Sequence, residues 1–260
     1  MFSGFNLKMN DDFLSYSDLG NTILKENKEN KDHIEKELDS FLLSDGSIDG
    51  TKMQNDWFPQ INADVFISHS HADKEKALAV AGWLKHKFGL TAFIDSCVWG
   101  YSAHLLKKID DIYCKNTDSN TYNYEKRNFS TSHVYMMLSM ALTKMMDKTE
   151  CVLFLNTPKS TVTNEVIDQT KSPWIYYEIG QTQLIRKKQP VRFGLIKKGG
   201  YYFENAKVLD IKYNLDIKHL NEITLNDLQD WEKAYNSKSD SHALDVLYEK
   251  HNLIDFQIKV

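Results

Sequence analysis

Cysteine, clustered cationic charge and long apolar runs are all scarce in this chain, and each shortage removes a class of protein. The 260 residues hold three cysteines, Cys97, Cys114 and Cys151. An odd, widely spaced set suits neither a disulfide framework nor a zinc cluster, and is expected to be reduced structural thiols of a cytosolic protein. The formal net charge of -4 argues against broad phosphate binding, which relies on clustered Lys and Arg, so nucleic acid is not an expected partner. Strong apolar runs such as Cys151 to Leu155 are strand-sized, against the roughly 20 residues of a membrane helix. The opening Met1-Phe2-Ser3-Gly4-Phe5-Asn6 has no basic stretch leading into an apolar one, so no signal peptide is expected. The expected location is cytoplasmic, without membrane contact.

What is present, 42% apolar and 26% charged residues, suffices for one main core with appendages. Residues 1–60 are polar, with a Lys/Glu/Asn-rich stretch from Lys25 to Glu37. The spacing of Ile34, Leu38, Phe41 and Leu42 is helical, so this region is expected to be a helical extension, followed by a Gly/Asp-rich loop from Ser44 to Gly50.

The pattern changes at Asp64-Val65-Phe66-Ile67-Ser68, which reads as a buried strand. A helix follows, with Asp73 as N-cap, Ala77, Leu78, Ala81, Leu84 and Phe88 on one stripe, and Gly89 at C′. Strand and helix then alternate: strand Thr91 to Ile94, helix near Ala103 to Tyr113, strand Cys151 to Leu155, helix from Pro173, and strands at Val191 to Ile196 and Val208 to Ile211. Continuously apolar strands alternating with helices predict an α/β, doubly wound parallel sheet over residues 61–215. Residues 216–260 are expected to add helices packed on that domain, through Leu225, Leu228, Trp231, Leu244, Leu247 and Tyr248. The polar stretch Asn116 to Thr131 is too long for a bare connection. Ligands of such sheets bind outside the carboxyl ends of the strands, here the loops at Ser68-His69-Ser70, Asp95-Ser96 and Asn156-Thr157.

The most informative segment is Ser172-Pro173-Trp174-Ile175-Tyr176-Tyr177-Glu178. Ser172 is a good N-cap and Pro173 suits the first helical position, so Glu178 falls in the second turn. Trp174 then lies at i and Glu178 at i+4, on a face shared with Gln181 and Ile185. A carboxylate beside an indole is partly desolvated.

This segment is similar to the S-x-W-x-x-x-E helix of the TIR family. Asp64 to Ser68 resembles that family's first strand, and Phe93-Ile94-Asp95 its second strand entering the BB loop. The resemblance covers roughly residues 63–212 and implies a flavodoxin-like fold. It also implies that NAD is a substrate rather than a cofactor, with Glu178 as the catalytic carboxylate. It places Ser68, His69 and Ser70 in the loop lining the nicotinamide pocket, Asp95, Trp99 and Tyr101 in or near the BB loop, and Trp174 in the pocket wall. The chain as a whole looks like bacterial anti-phage TIR proteins, especially the TIR subunit of Thoeris systems. That likeness implies self-association through TIR–TIR contacts and a nucleotide product read by a separate effector protein. Two departures stand out: the BB-loop stretch Ser96 to Tyr101 is less polar than usual, and the region between the second and third strands is longer.

Cleaving the bond between ribose and nicotinamide develops oxocarbenium character that a carboxylate stabilises. Nicotinamide leaves as a neutral group, so one carboxylate suffices where glycosidases use two. A rival reading takes His69-Ser70-His71-Ala72-Asp73 as the H-x-H-x-D metal motif of the metallo-β-lactamase fold. It is ranked lower because Lys74 stands where that motif has its next histidine, and no metal is expected. Another rival is a non-enzymatic scaffold assembling through the BB loop. The Met-rich helix from His133, with Met136, Met137, Met140, Met145 and Met146, is expected to present an adaptable core face.

Overall fold

A computed structural model describes residues 1–9, 16, 18–20, 22, 38–99, 102–117, 120–164, 167–190, 192, 213–238 and 241–254. In chain order its first elements are β1 (Ser3–Lys8), α1 (Gly50–Trp57), β2 (Val65–Ser68), α2 (Lys74–Phe88), β3 (Ala92–Phe93), α3 (Asp95–Val98), α4 (Ser102–Ile109) and α5 (Tyr124–Lys148). There follow β4 (Cys151–Asn156), β5 (Val162–Asn164), β6 (Ile167–Thr170), α6 (Pro173–Leu184), β7 (Tyr213–Asn214), β8 (Asn221–Ile223), α7 (Leu225–Asn236) and α8 (Ala243–Lys250). The chain divides into two compact units, one of Met1–Ile23, Asn62–Ile94 and Met146–Val260, the other of Leu24–Ile61 and Asp95–Met145.

The first unit is built on a five-stranded sheet of order β3-β2-β4-β1-β8, in which every pairing is parallel. Register shows that both faces are covered. Phe5 of β1 pairs with Leu153 of β4, and Asn6 with Phe154, so Phe5 and Phe154 project to opposite sides. Phe154 forms a buried cluster with Ile175 and Ile179 of α6. Phe5 lies parallel to the Tyr248 ring of α8, centroids 6.3 Å apart. One helix therefore packs on each face, the arrangement expected for a doubly wound sheet. Helix α7 docks through Trp231, stacked on Phe88 of α2 at 4.1 Å. A small antiparallel sheet, β5-β6-β7, completes this unit.

The N-terminal segment differs from expectation. Residues 3–8 are an interior strand of the sheet, flanked by β4 and β8, rather than part of an appended extension. Phe5 and Leu7 are fully buried, but Gly4 and Asn6 interrupt the apolar run that marks a buried strand. Likewise β8 lies in the region read as purely helical. Apart from Arg192, the expected strands at 191–196 and 208–211 lie outside the described residues, as does Ile34; Leu38 and Phe41 belong to a single 3₁₀ turn. Helix α2 ends as predicted, with Gly89 left-handed at φ 69°, a conformation that glycine adopts at no steric cost.

In the second unit the polar stretch from Asn116 closes a short bridge between Lys115 and Tyr122. Helix α5 then starts at Tyr124 rather than near His133. Its buried stripe is Val134, Ala141, Leu142 and Met145, while Met136 and Met140 are exposed, so only part of the methionine set is core. Helix α4 runs into a π-helical turn, Asp110–Cys114. There Asp110 is buried, accepting from the Ser130 hydroxyl at 2.6 Å and from Arg127 Nε at 2.9 Å. No helix among the described residues is long and apolar enough to cross a membrane.

Candidate active site

Strands β2 and β4 are neighbours, yet the chain leaves β2 for β3 on one side and continues from β4 to β8 on the other. Their carboxyl ends thus form the topological switch point at which α/β sheets open a crevice. Ser68 is the last residue of β2 and pairs with Phe154, so its side chain projects to the face covered by α6.

Local rules set the position of α6. The Ser172 side chain accepts from the Ile175 amide at 3.3 Å, and Pro173 occupies the first turn. Ile175, Glu178, Ile179 and Thr182 are the buried residues of this helix, which gives the glutamate a place in the packed stripe instead of on a solvated face. Glu178 is only 4% exposed and Ser68 1%. The Ser68 hydroxyl donates to Glu178 Oε2 at 2.6 Å. A buried carboxylate is costly unless hydrogen-bonded, and the Ser68 hydroxyl meets part of that requirement. Trp174, one turn earlier, is partly buried, as are Gln181 and Ile185.

A second buried pair ties the loops that follow β2 and β4. The Thr157 hydroxyl, just beyond β4, donates to Asp73 Oδ2 at 2.5 Å, and both residues are buried. Asp73 precedes α2 but makes no side-chain capping bond there, so the expected cap is a cross-loop tie instead. The Ser160 hydroxyl, which receives the Thr157 amide at 2.8 Å and donates to the Leu155 carbonyl at 2.9 Å, stiffens the loop after β4.

Next along β2, His69 and Ser70 are partly buried. His69 Nδ1 lies 3.3 Å from the Ile67 carbonyl oxygen. Its Nε2 is enclosed and has no hydrogen-bond partner among the described residues.

One turn beyond Glu178 the Thr182 hydroxyl donates to the Ile179 carbonyl and meets His219 Nε2, both at 2.6 Å. The Gln183 amide nitrogen lies 3.2 Å from His219 Nδ1 and 2.9 Å from the Asp216 carbonyl oxygen. An amide nitrogen donates, so Nδ1 is the acceptor and the neutral ring carries its proton on Nε2. Burial lowers the His219 pKa below that of a free histidine, against the opposing pull of Asp216.

Asp95 opens α3 and belongs, with Trp99, to the second unit. Trp99 is buried, donates its indole N–H to the Pro59 carbonyl at 2.9 Å and packs edge-on to Phe58. The reason is compositional: Cys97, Val98 and Trp99 bury more readily than they line a polar loop. Tyr101 lies outside the described residues.

His71 is exposed and Asp73 is tied to Thr157, so the H-x-H-x-D residues are used separately. Among the described residues the side chains spaced as metal ligands are Glu150, His242 and Asp245. Arg192 already bridges both carboxylates, holding Glu150 at 2.5 and 2.8 Å and Asp245 at 2.5 Å. A guanidinium thus supplies the positive charge there.

No family model, curated protein or solved structure matches this chain. The functional reading therefore rests on the residues themselves. The Asp73–Thr157 tie and the Thr182–His219 pair had no signature in the spacing, since each depends on how separate loops pack. The one available signal was the placement of Asn156-Thr157 at a strand's carboxyl end.

Proposed function

We propose that the protein is a TIR-type enzyme that cleaves the nicotinamide–ribose bond of NAD. The product is ADP-ribose, a cyclic isomer or an ADP-ribose conjugate, serving as a signal in cytoplasmic anti-phage defence of the Thoeris type. The observation that carries this reading is the buried Ser68–Glu178 pair at the switch point of the sheet. It unites the end of the first TIR-like strand with the glutamate of the S-x-W-x-x-x-E helix. Glu178 stabilises positive charge developing on the ribose, and Ser68 holds that carboxylate in place. Trp174 supplies apolar wall.

Purified protein incubated with NAD is expected to release nicotinamide, and Glu178→Gln to lose about 100-fold or more of kcat, the usual scale for removing preorganised electrostatic stabilisation. Chromatography with mass detection follows both products. Turnover by Glu178→Gln at the wild-type rate overturns the mechanism, and absence of turnover by the wild type in every assembly state overturns the enzyme.

The alternative is a non-enzymatic scaffold that self-associates. The exposed Phe129, Met136 and Met140 of α5 favour it, because apolar side chains on one helix suit contact with a partner. A scaffold, however, has no use for a buried carboxylate held by a hydroxyl.

A further inference from the structure

His69, which follows Ser68 in sequence beyond the carboxyl end of β2, has a feature that packing does not explain. A carbonyl oxygen only accepts, so the 3.3 Å contact with Ile67 places the His69 proton on Nδ1. The neutral ring then carries its lone pair on Nε2, the atom that is enclosed without a partner among the described residues. Buried polar atoms are rarely left unpaired, and a catalytic role or a bound water or ion is among the reasons that one persists. A neighbouring backbone carbonyl that fixes the ring tautomer is also how a histidine base is held ready.

We propose that His69 is the general base of the second half of the reaction. The inference rests on the reading of NAD as substrate. As the glycosidic C–N bond breaks, its electron pair goes to the nicotinamide nitrogen, which leaves neutral, and the anomeric carbon becomes electron-deficient. A water molecule, or a hydroxyl of the same substrate in a cyclisation, then forms the new C–O bond. Its O–H proton passes to His69 Nε2, and the resulting imidazolium returns the proton to solvent after product leaves. Glu178 faces the charge on the sugar throughout, so the two roles belong to separate side chains.

The nucleophile's own proton supplies the test. A pyridine such as 3-acetylpyridine attacks through a nitrogen lone pair and has no proton to lose, so exchange of that base into NAD requires Glu178 but not a general base. His69→Asn keeps a donor near the Ile67 carbonyl and removes Nε2. It is expected to lower water- or hydroxyl-dependent turnover of NAD about 100-fold relative to base exchange measured at saturating pyridine, within the usual range for a general base. His69→Gln, carrying an amide in the Nε2 region, is expected to show the same split, and retained exchange certifies a folded site. Equal loss of both reactions in both variants, or unchanged hydrolysis in either, overturns the assignment. If wild-type protein performs neither reaction, the NAD reading fails first. If it performs both and the variants do not separate them, only the role of His69 fails.

Discussion

At the scale of single residues, the Ser68 hydroxyl is the group whose removal separates geometry from burial. Ser68→Ala leaves Glu178 buried but without the 2.6 Å donor. A hydrogen bond to a charged group contributes about 1.5–3 kcal/mol, so kcat for the proposed NAD cleavage is expected to fall roughly 10- to 100-fold. Steady-state kinetics check this; an unchanged kcat would show that Ser68 does not set the carboxylate. His219 offers a prediction of different kind. Its pKa is lowered by burial, so as pH falls through the ordinary histidine range the unfolded chain takes up a proton that the folded protein resists. Stability is therefore complete above that range and declines below it. Thermal unfolding followed from pH 7.5 to 5 is expected to show a falling midpoint, with a shallower slope in His219→Asn. Of this site the sequence discloses the position of Glu178, because capping and helical spacing act within a few residues. That Ser68 would meet Glu178 depends on the β2–β4 register and on α6 packing over Phe154, neither of which is local.

At the scale of elements, α6 orients the glutamate and its cap is the part most open to test. Ser172→Ala removes the side-chain acceptor for the Ile175 amide and is expected to cost about 1 kcal/mol, read as a lower urea midpoint with unchanged m-value. Elements with strong local signals were legible: β2 and β4 as continuous apolar runs, α2 between its stripe and Gly89, and α6 from Ser172-Pro173. The interior strand β1 was not, because Ser-Gly-Phe-Asn-Leu-Lys alternates over too few residues to stand out. Its burial comes from two neighbours supplied by distant sequence. Helix α5 shows the opposite difficulty, since methionine tolerates both core and surface and composition alone cannot divide Met145 from Met136.

At the scale of the whole molecule, β1 makes the beginning of the chain indispensable to the sheet that carries the site. Phe5 is completely buried between its strand neighbours and Tyr248. Phe5→Ala is expected to destabilise the first unit by about 3–5 kcal/mol, a large share of a typical domain's stability. Denaturation followed by near-ultraviolet circular dichroism checks it; a loss below about 1 kcal/mol would contradict the packing described. The pairing partners of β1 are far away in sequence: Ser3 faces Cys151 and Phe5 faces Asn221. Asn221 lies 216 positions after Phe5, so the second edge of β1 is covered only once that stretch has been made. At translation rates of about 5–20 residues per second, that wait is on the order of ten seconds or more. During synthesis the backbone groups of β1 that pair with β8 therefore stay open to water until the last strand of the sheet has been made.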